Sequence, residues 1–225
     1  MHKYQLISEN REKLIIFFCG WGMDYTPFFG LKSKEYDVLI FYHYSSVNPK
    51  INLDKYFNKY KQVDLISWSM GVWYSSIVMG KYKDKLNYKI AINGTLKPID
   101  DKYGINTKIY QATIDNFSKI GRAKFFKRMW NNIKIPERFT SIKPTRSLDD
   151  QKTELIFLKD KMSKMKNVPI IFNNVIIAEN DLICPTKNQI NFWKGKNNYK
   201  TIDSSHFIFY LWHFWEEIVE YAVED

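Results

Sequence analysis

Only two cysteines, Cys19 and Cys184, occur in the 225 residues. That excludes a disulfide scaffold and leaves one accidental pair as the most the chain could form. Both sit near the ends of apolar runs, where a free thiol behaves as a small hydrophobe, and a reducing cytoplasm is the expected setting. No window approaches the ~20 apolar residues that cross a bilayer, so no membrane span is expected. The opening residues Met1 to Asn10 carry no apolar stretch of the kind found in secretory signals. Glycine and proline are sparse, at 9 and 7, and neither a repeat nor a low-complexity tract is present. The four histidines (His2, His43, His206 and His213) form no cluster with the cysteines at metal-ligand spacing. Gly20-Trp21-Gly22 lacks the third glycine of a dinucleotide loop, and no Gly-Lys-Ser/Thr phosphate loop occurs. Neither a metal nor a cofactor is therefore expected.

Aromatic residues, by contrast, are abundant at 17%, and are read as core. Charge is unevenly placed. Residues 107–166 hold 15 Lys and Arg against 6 Asp and Glu, which is +9 of the net +10. A field concentrated in one segment steers an acidic partner, whereas a merely solvated lysine-rich surface would serve solubility. A nucleic-acid binder is disfavoured, because no recognised module is present and the aromatics are not interleaved with the basic face.

Short β-branched or aromatic runs recur at Leu14–Cys19, Val38–Tyr42, Val63–Ser67, Lys89–Ile92, Val175–Ala178 and, more weakly, Tyr199–Ile202. They are too short for buried helices and continuous rather than alternating, as expected of strands covered on both faces. Helical stretches at Met70–Tyr82, Thr186–Trp193 and Phe214–Ala222 lie between or after them. This alternation predicts one α/β domain with a mostly parallel, doubly wound sheet. Residues 107–166 interrupt it with helix-like stretches at Ile114–Trp130 and Leu148–Met165, separated near Pro136 and Pro144. They read as a helical insertion able to roof the crevice at the carboxyl ends of the strands.

The chemistry centres on Ser67-Trp68-Ser69-Met70-Gly71, which follows a strand and opens a helix. A sharp strand-turn-helix bend lifts a serine hydroxyl clear of the sheet, provided its neighbours are small. Gly71 meets that need, and Ser67 stands where glycine is usual. A serine hydroxyl needs an adjacent base, and the base an acid to orient it. His206, after the last strand, is the candidate base. His2 lies at the terminus, His43 follows an early strand and His213 begins the last helix. Asp181, after Val175–Ala178, is the candidate acid, with Glu179 and Asp203 as alternatives. The order Ser69, Asp181, His206 is that of α/β-hydrolases. An oxyanion hole needs two backbone donors, for which Met70 and the turn Cys19-Gly20-Trp21-Gly22-Met23 offer the N–H groups of Met70 and Trp21. The chemistry expected is ester cleavage.

Three segments carry a closer likeness: Phe18-Cys19-Gly20-Trp21-Gly22-Met23-Asp24, Trp68-Ser69-Met70-Gly71-Val72-Trp73, and Ala91-Ile92-Asn93-Gly94-Thr95-Leu96-Lys97-Pro98-Ile99-Asp100-Asp101. They resemble the BioG-type pimeloyl-[acyl-carrier-protein] methyl ester esterases, over nearly the whole chain. The resemblance implies an α/β-hydrolase fold, in which the insertion over 107–166 would be a helical lid. It implies hydrolysis of the methyl ester of a pimeloyl acyl-carrier protein, releasing methanol in biotin biosynthesis. Ser69 would then be the nucleophile, His206 the base, Asp181 its orienting acid, and Trp21 and Met70 the oxyanion donors. Acyl-carrier proteins are acidic, so Arg122, Lys124, Lys127, Arg128 and Arg138, the densest part of the basic segment, are the candidate carrier-protein contacts. A general short-chain carboxylesterase or acyl thioesterase with the same three residues is the alternative.

Overall fold

The computed structural model describes residues 3–224; His2 lies outside them. The strands are β1 (Lys3–Ile7), β2 (Lys13–Phe18), β3 (Tyr36–Tyr42), β4 (Gln62–Trp68), β5 (Lys89–Ile92), β6 (Asn174–Ala178) and β7 (Tyr199–Ile202). They form one sheet in the order β1-β3-β2-β4-β5-β6-β7. β1 runs antiparallel to β3, and every other pairing is parallel. Helices α1 (Asp54–Lys59), α2 (Met70–Met79), α7 (Thr186–Trp193) and α8 (Trp215–Val223) pack around it. The register pairs Phe18 with Ser67 and Trp68 with Ile92. The carboxyl ends of β2, β4 and β5 thus finish level, and the loops that follow share one crevice.

Strand side chains alternate between two cores. Leu14, Ile16 and Phe18 join Val72 and Trp73 of α2 and Phe192 and Trp193 of α7. Ile15 and Phe17 join Phe28, Phe209 and Trp215 on the opposite face. The Phe17 ring lies 4.8 Å from that of Phe28 and 5.0 Å from that of Trp215. Burying one such side chain contributes about 1.5–3 kcal/mol. Burial on both faces is why these strands read as unbroken apolar runs.

Between β5 and β6 lie α3 (Thr107–Asp115), α4 (Lys119–Met129), α5 (Glu137–Ser141) and α6 (Leu148–Lys164). α6 matches its expected span, and Ser147 caps it by accepting the Asp150 N–H at 3.1 Å. The single helix expected over Ile114–Trp130 is instead two. Asn116 ends α3, and the Ser118 hydroxyl accepts the Gly121 N–H at 3.1 Å to start α4. Serine and asparagine offer the backbone local partners that compete with a continuous helix. Among the described residues, no helix is long and apolar enough to cross a membrane.

Candidate active site

β4 ends at Trp68, α2 begins at Met70, and Ser69 sits between them at φ 57° and ψ −122°. A non-glycine residue at positive φ is strained by about 1–3 kcal/mol and persists only where its surroundings hold it. Here the Ser69 N–H donates to the Ile92 carbonyl at 2.9 Å, and its carbonyl accepts the Val72 N–H at 3.1 Å. Helix and strand approach so closely at this bend that a Cβ on Gly71 would lie 2.4 Å from the Phe18 carbonyl oxygen and 2.6 Å from that of Cys19. Gly71→Ala is accordingly expected to lower the melting temperature sharply or to abolish soluble expression. Thermal melts check this. Ser67, in the place usually taken by glycine, has room for its side chain: its hydroxyl bonds that of Ser75 at 2.8 Å, fully buried.

His206 Nε2 lies 3.0 Å from Ser69 Oγ, and its Nδ1 lies 2.7 Å from Asp181 Oδ2. All three residues are buried. The histidine backbone is anchored as well, its carbonyl accepting the Trp68 indole at 3.0 Å and the Asn93 amide at 2.9 Å. Asp181 Oδ1 accepts the N–H groups of Ile183 and Cys184, and Oδ2 also accepts Gln189 Nε2 at 2.9 Å. The competing residues point elsewhere. Glu179 is exposed and accepts the Thr201 hydroxyl. Asp203 is exposed and accepts from Asn180. His213 is exposed on the surface. His43 lies 2.7 Å from Asp150 and 3.2 Å from Arg146; burial, then the Arg146 charge, lower its pKa despite Asp150.

The backbone N–H of Met70 opens α2, and that of Trp21 lies in the turn after β2. Among the described residues neither has a protein acceptor, so both are available to a ligand oxygen at the helix N-terminus. Trp21 is buried, its indole donating to the Gln151 carbonyl at 2.8 Å and its ring meeting Phe125 at 4.8 Å. A narrow apolar cavity rises from Ser69 and is walled by Trp21, Ile109, Tyr110, Phe125, Leu155 and Ile183. Four of these belong to α3, α4 and α6. A second groove between α3 and α4 shares Ile109, Thr113, Phe125 and Arg128 with the first and so lies directly beside it.

The five basic residues divide. Lys124 and Lys127 are exposed on α4, and Lys124 lines the outer groove. Arg128 sits at the mouth, donating to the Leu182 carbonyl at 2.6 Å. Arg138 stacks on Tyr210, 4.3 Å from the ring centroid. Arg122 turns inward, donating to the Arg146 carbonyl at 3.2 Å and to Gln151 Oε1 at 3.3 Å. The sequence reading gave no role to Asn93, Gln189, Arg146, Gln151 or Glu154. Only Asn93, in an Asn-Gly pair closing a strand, carried a local signal. Among the described residues no group of three His, Cys, Asp or Glu could hold a metal.

The sheet, the bend at Ser69 and the fold's structural neighbours define an α/β-hydrolase fold. The chain belongs to the family described as pimeloyl-ACP methyl esterase BioG, whose model it matches over residues 2–218. It superposes with a TM-score of 0.85 on the crystal structure of BioG from Haemophilus influenzae, at 28% identity, over 96% of this chain and 98% of that one. It is 35% identical over 198 residues to a malonyl-[acyl-carrier protein] O-methyltransferase of Bacteroides fragilis (strain 638R), covering 88% of this chain. The chain spans 40% of the length of that curated relative. A lipase-esterase related protein from Clostridium acetobutylicum shares the fold, with a TM-score of 0.63 at 15% identity over 92% of this chain and 93% of that one.

Proposed function

We propose that this chain is a serine esterase that hydrolyses the methyl ester of a pimeloyl acyl-carrier protein, with Ser69, His206 and Asp181 as its catalytic triad. The observation that carries the reading is Ser69 Oγ, 3.0 Å from His206 Nε2, at the floor of a narrow apolar cavity. Residues 107–166, as a lid, place Arg128 at the mouth of that cavity and Lys124 in the groove beside it.

Ser69 Oγ attacks the ester carbonyl as His206 Nε2 takes its proton, and Asp181 holds the imidazolium that forms. The tetrahedral oxyanion accepts the N–H groups of Met70 and Trp21. His206 returns the proton to the departing methoxide, which leaves as methanol. A water activated by the same histidine then opens the acyl-serine and frees the carboxylate. An extended acyl arm in the apolar cavity brings its distal methyl ester to Ser69 while the thioester, at the carrier end, stays outside, so selectivity is a matter of reach. The family description supports this substrate. So does the Bacteroides relative's name, because a carrier-protein O-methyltransferase makes the kind of methyl ester that such an esterase removes. Incubation of the purified chain with the carrier-bound methyl ester, read by intact-protein mass spectrometry, tests the reading. Loss of one CH₂ in mass is expected. Loss of the whole acyl group would instead mean thioester cleavage.

The basic segment suits an acidic carrier, with the exposed Lys124 and Lys127 as its free charges and Arg128 at the mouth. The inward Arg122 serves the turn behind it instead. Reversal of both lysines to Glu should lower kcat/KM on the carrier-bound ester roughly tenfold, each exposed contact contributing ~0.5–1 kcal/mol. Raising salt should give a similar loss in the parent enzyme, since exposed charges are screened beyond ~8 Å at physiological ionic strength. Hydrolysis of p-nitrophenyl acetate, which has no carrier, should fall far less. Equal losses on both substrates would count against docking.

A further inference from the structure

The turn that presents the Trp21 N–H is gripped from behind by residues more than a hundred positions away in sequence. Glu154 Oε2 accepts the Gly22 N–H at 3.0 Å, and Oε1 accepts the Tyr44 N–H at 2.6 Å. Gln151 Nε2 donates to the Gly22 carbonyl at 2.7 Å, and the Gln151 carbonyl accepts the Trp21 indole at 2.8 Å. Arg146 bonds Glu154 at 2.6 Å and donates to the Met23 carbonyl at 3.2 Å. Arg122 braces Gln151 from α4. Gly22 itself is at φ +76°, a left-handed conformation that needs glycine and that an unrestrained turn leaves readily.

A buried charged network of this kind is expensive. Glu154 is 1% exposed. Burial raises its pKa against the pull of Arg146 and two backbone donors. Burial also works against the Arg146 charge, and Glu154 and Asp150 outweigh it, raising the Arg146 pKa. Apolar residues of similar volume often stabilise a fold as well as a buried ion pair does or better. What they could not do is hold both the N–H and the carbonyl of Gly22 and so fix the direction of the preceding N–H.

We infer that Glu154, with Gln151 of α6 and Arg146 just before that helix, is a positioning residue that preorganises the oxyanion turn. The inference rests on the esterase reading of Ser69. A preorganised donor acts on the charge that develops in the transition state and little on the bound ester. Loosening the clasp therefore lowers kcat and leaves KM nearly unchanged.

The test is hydrolysis of p-nitrophenyl acetate by the full chain and by Glu154→Gln. Rates are taken per active site, titrated by the stoichiometric burst with an organophosphate, so that misfolded protein does not count. A fall in kcat of about 10- to 100-fold is expected, smaller than the roughly 10²–10³ that follows outright loss of an oxyanion donor, with KM within about twofold. A trifluoromethyl ketone, whose adduct with serine places an oxyanion in the same hole, should lose affinity by a similar factor. Gln151→Met removes the bond to the Gly22 carbonyl without a buried charge, and decides the matter if Glu154→Gln does not fold; it should show the same split. A variant that matches the parent in kcat per active site, or changes only KM, would overturn the inference while leaving the esterase reading intact. A parent chain that hydrolyses no ester would overturn both.

Discussion

Ser69→Ala should leave a folded protein whose kcat for ester hydrolysis is lower by roughly 10⁴- to 10⁶-fold, the range lost when a member of a serine triad is removed. The folded state is expected to survive because the substitution removes one hydroxyl and leaves the backbone bonds of residue 69 to Ile92 and Val72 in place. Alanine is also no worse suited than serine to φ 57°. His206→Ala should be as damaging to the rate. It should cost more stability, since the ring is buried between Trp68 and Asp181 and its loss leaves a cavity and strips a buried carboxylate oxygen of one of its two partners. The two residues act as one unit, so the double variant should be little slower than either single one. Circular dichroism and thermal melts, run beside the kinetics, separate lost chemistry from lost structure. Retention by Ser69→Ala of more than about a hundredth of the parental kcat would remove Ser69 from its role.

The legible parts of this molecule are those whose causes are local. β2 to β6 are buried on both faces, so their apolar runs mark them to within two residues. The bend at Ser69 is legible because strand and helix pass so close there that a small residue is needed, and Gly71 is pressed against the carbonyls of Phe18 and Cys19. β1 escaped because Lys3–Ile7 is an exposed edge strand of mixed polarity, recognisable only by its pairing with β3. The division of α3 from α4 turns on the side chains of Asn116 and Ser118, which a helical periodicity does not weigh.

The clasp on the oxyanion turn had no local signal at all. Glu154 meets Gly22 across 132 residues, and a glutamate inside a helix of mixed charge reads as a solvated side chain. Arg122 shows the same limit from the other side. A count of charges cannot tell a guanidinium that faces solvent from one that supports a buried loop, whereas Lys124 and Lys127, two and five residues on, do reach the surface.

Asp181→Asn tests the proposed orienting acid by the chemistry of a single atom. Oδ1 can go on accepting the N–H groups of Ile183 and Cys184 as an amide oxygen, so the turn should hold. The new amide nitrogen then takes the place of Oδ2, facing His206 Nδ1 and Gln189 Nε2. An N–H placed there makes Nδ1 the acceptor and drives the imidazole proton to Nε2, the nitrogen that must take the proton from Ser69. The base is then in the wrong tautomer with its position unchanged. A loss of about 10⁴-fold in kcat is expected, as for this substitution in a Ser-His-Asp triad, with KM changed little. Asp203→Asn and Glu179→Gln alter exposed carboxylates bonded to Asn180 and Thr201, and should change kcat by no more than about twofold, the small effect usual for surface substitutions. A matched assay in which Asp203→Asn proves the more damaging would mean that the histidine takes its orientation from a different carboxylate. In that event the 2.7 Å contact between His206 and Asp181 would be a packing bond.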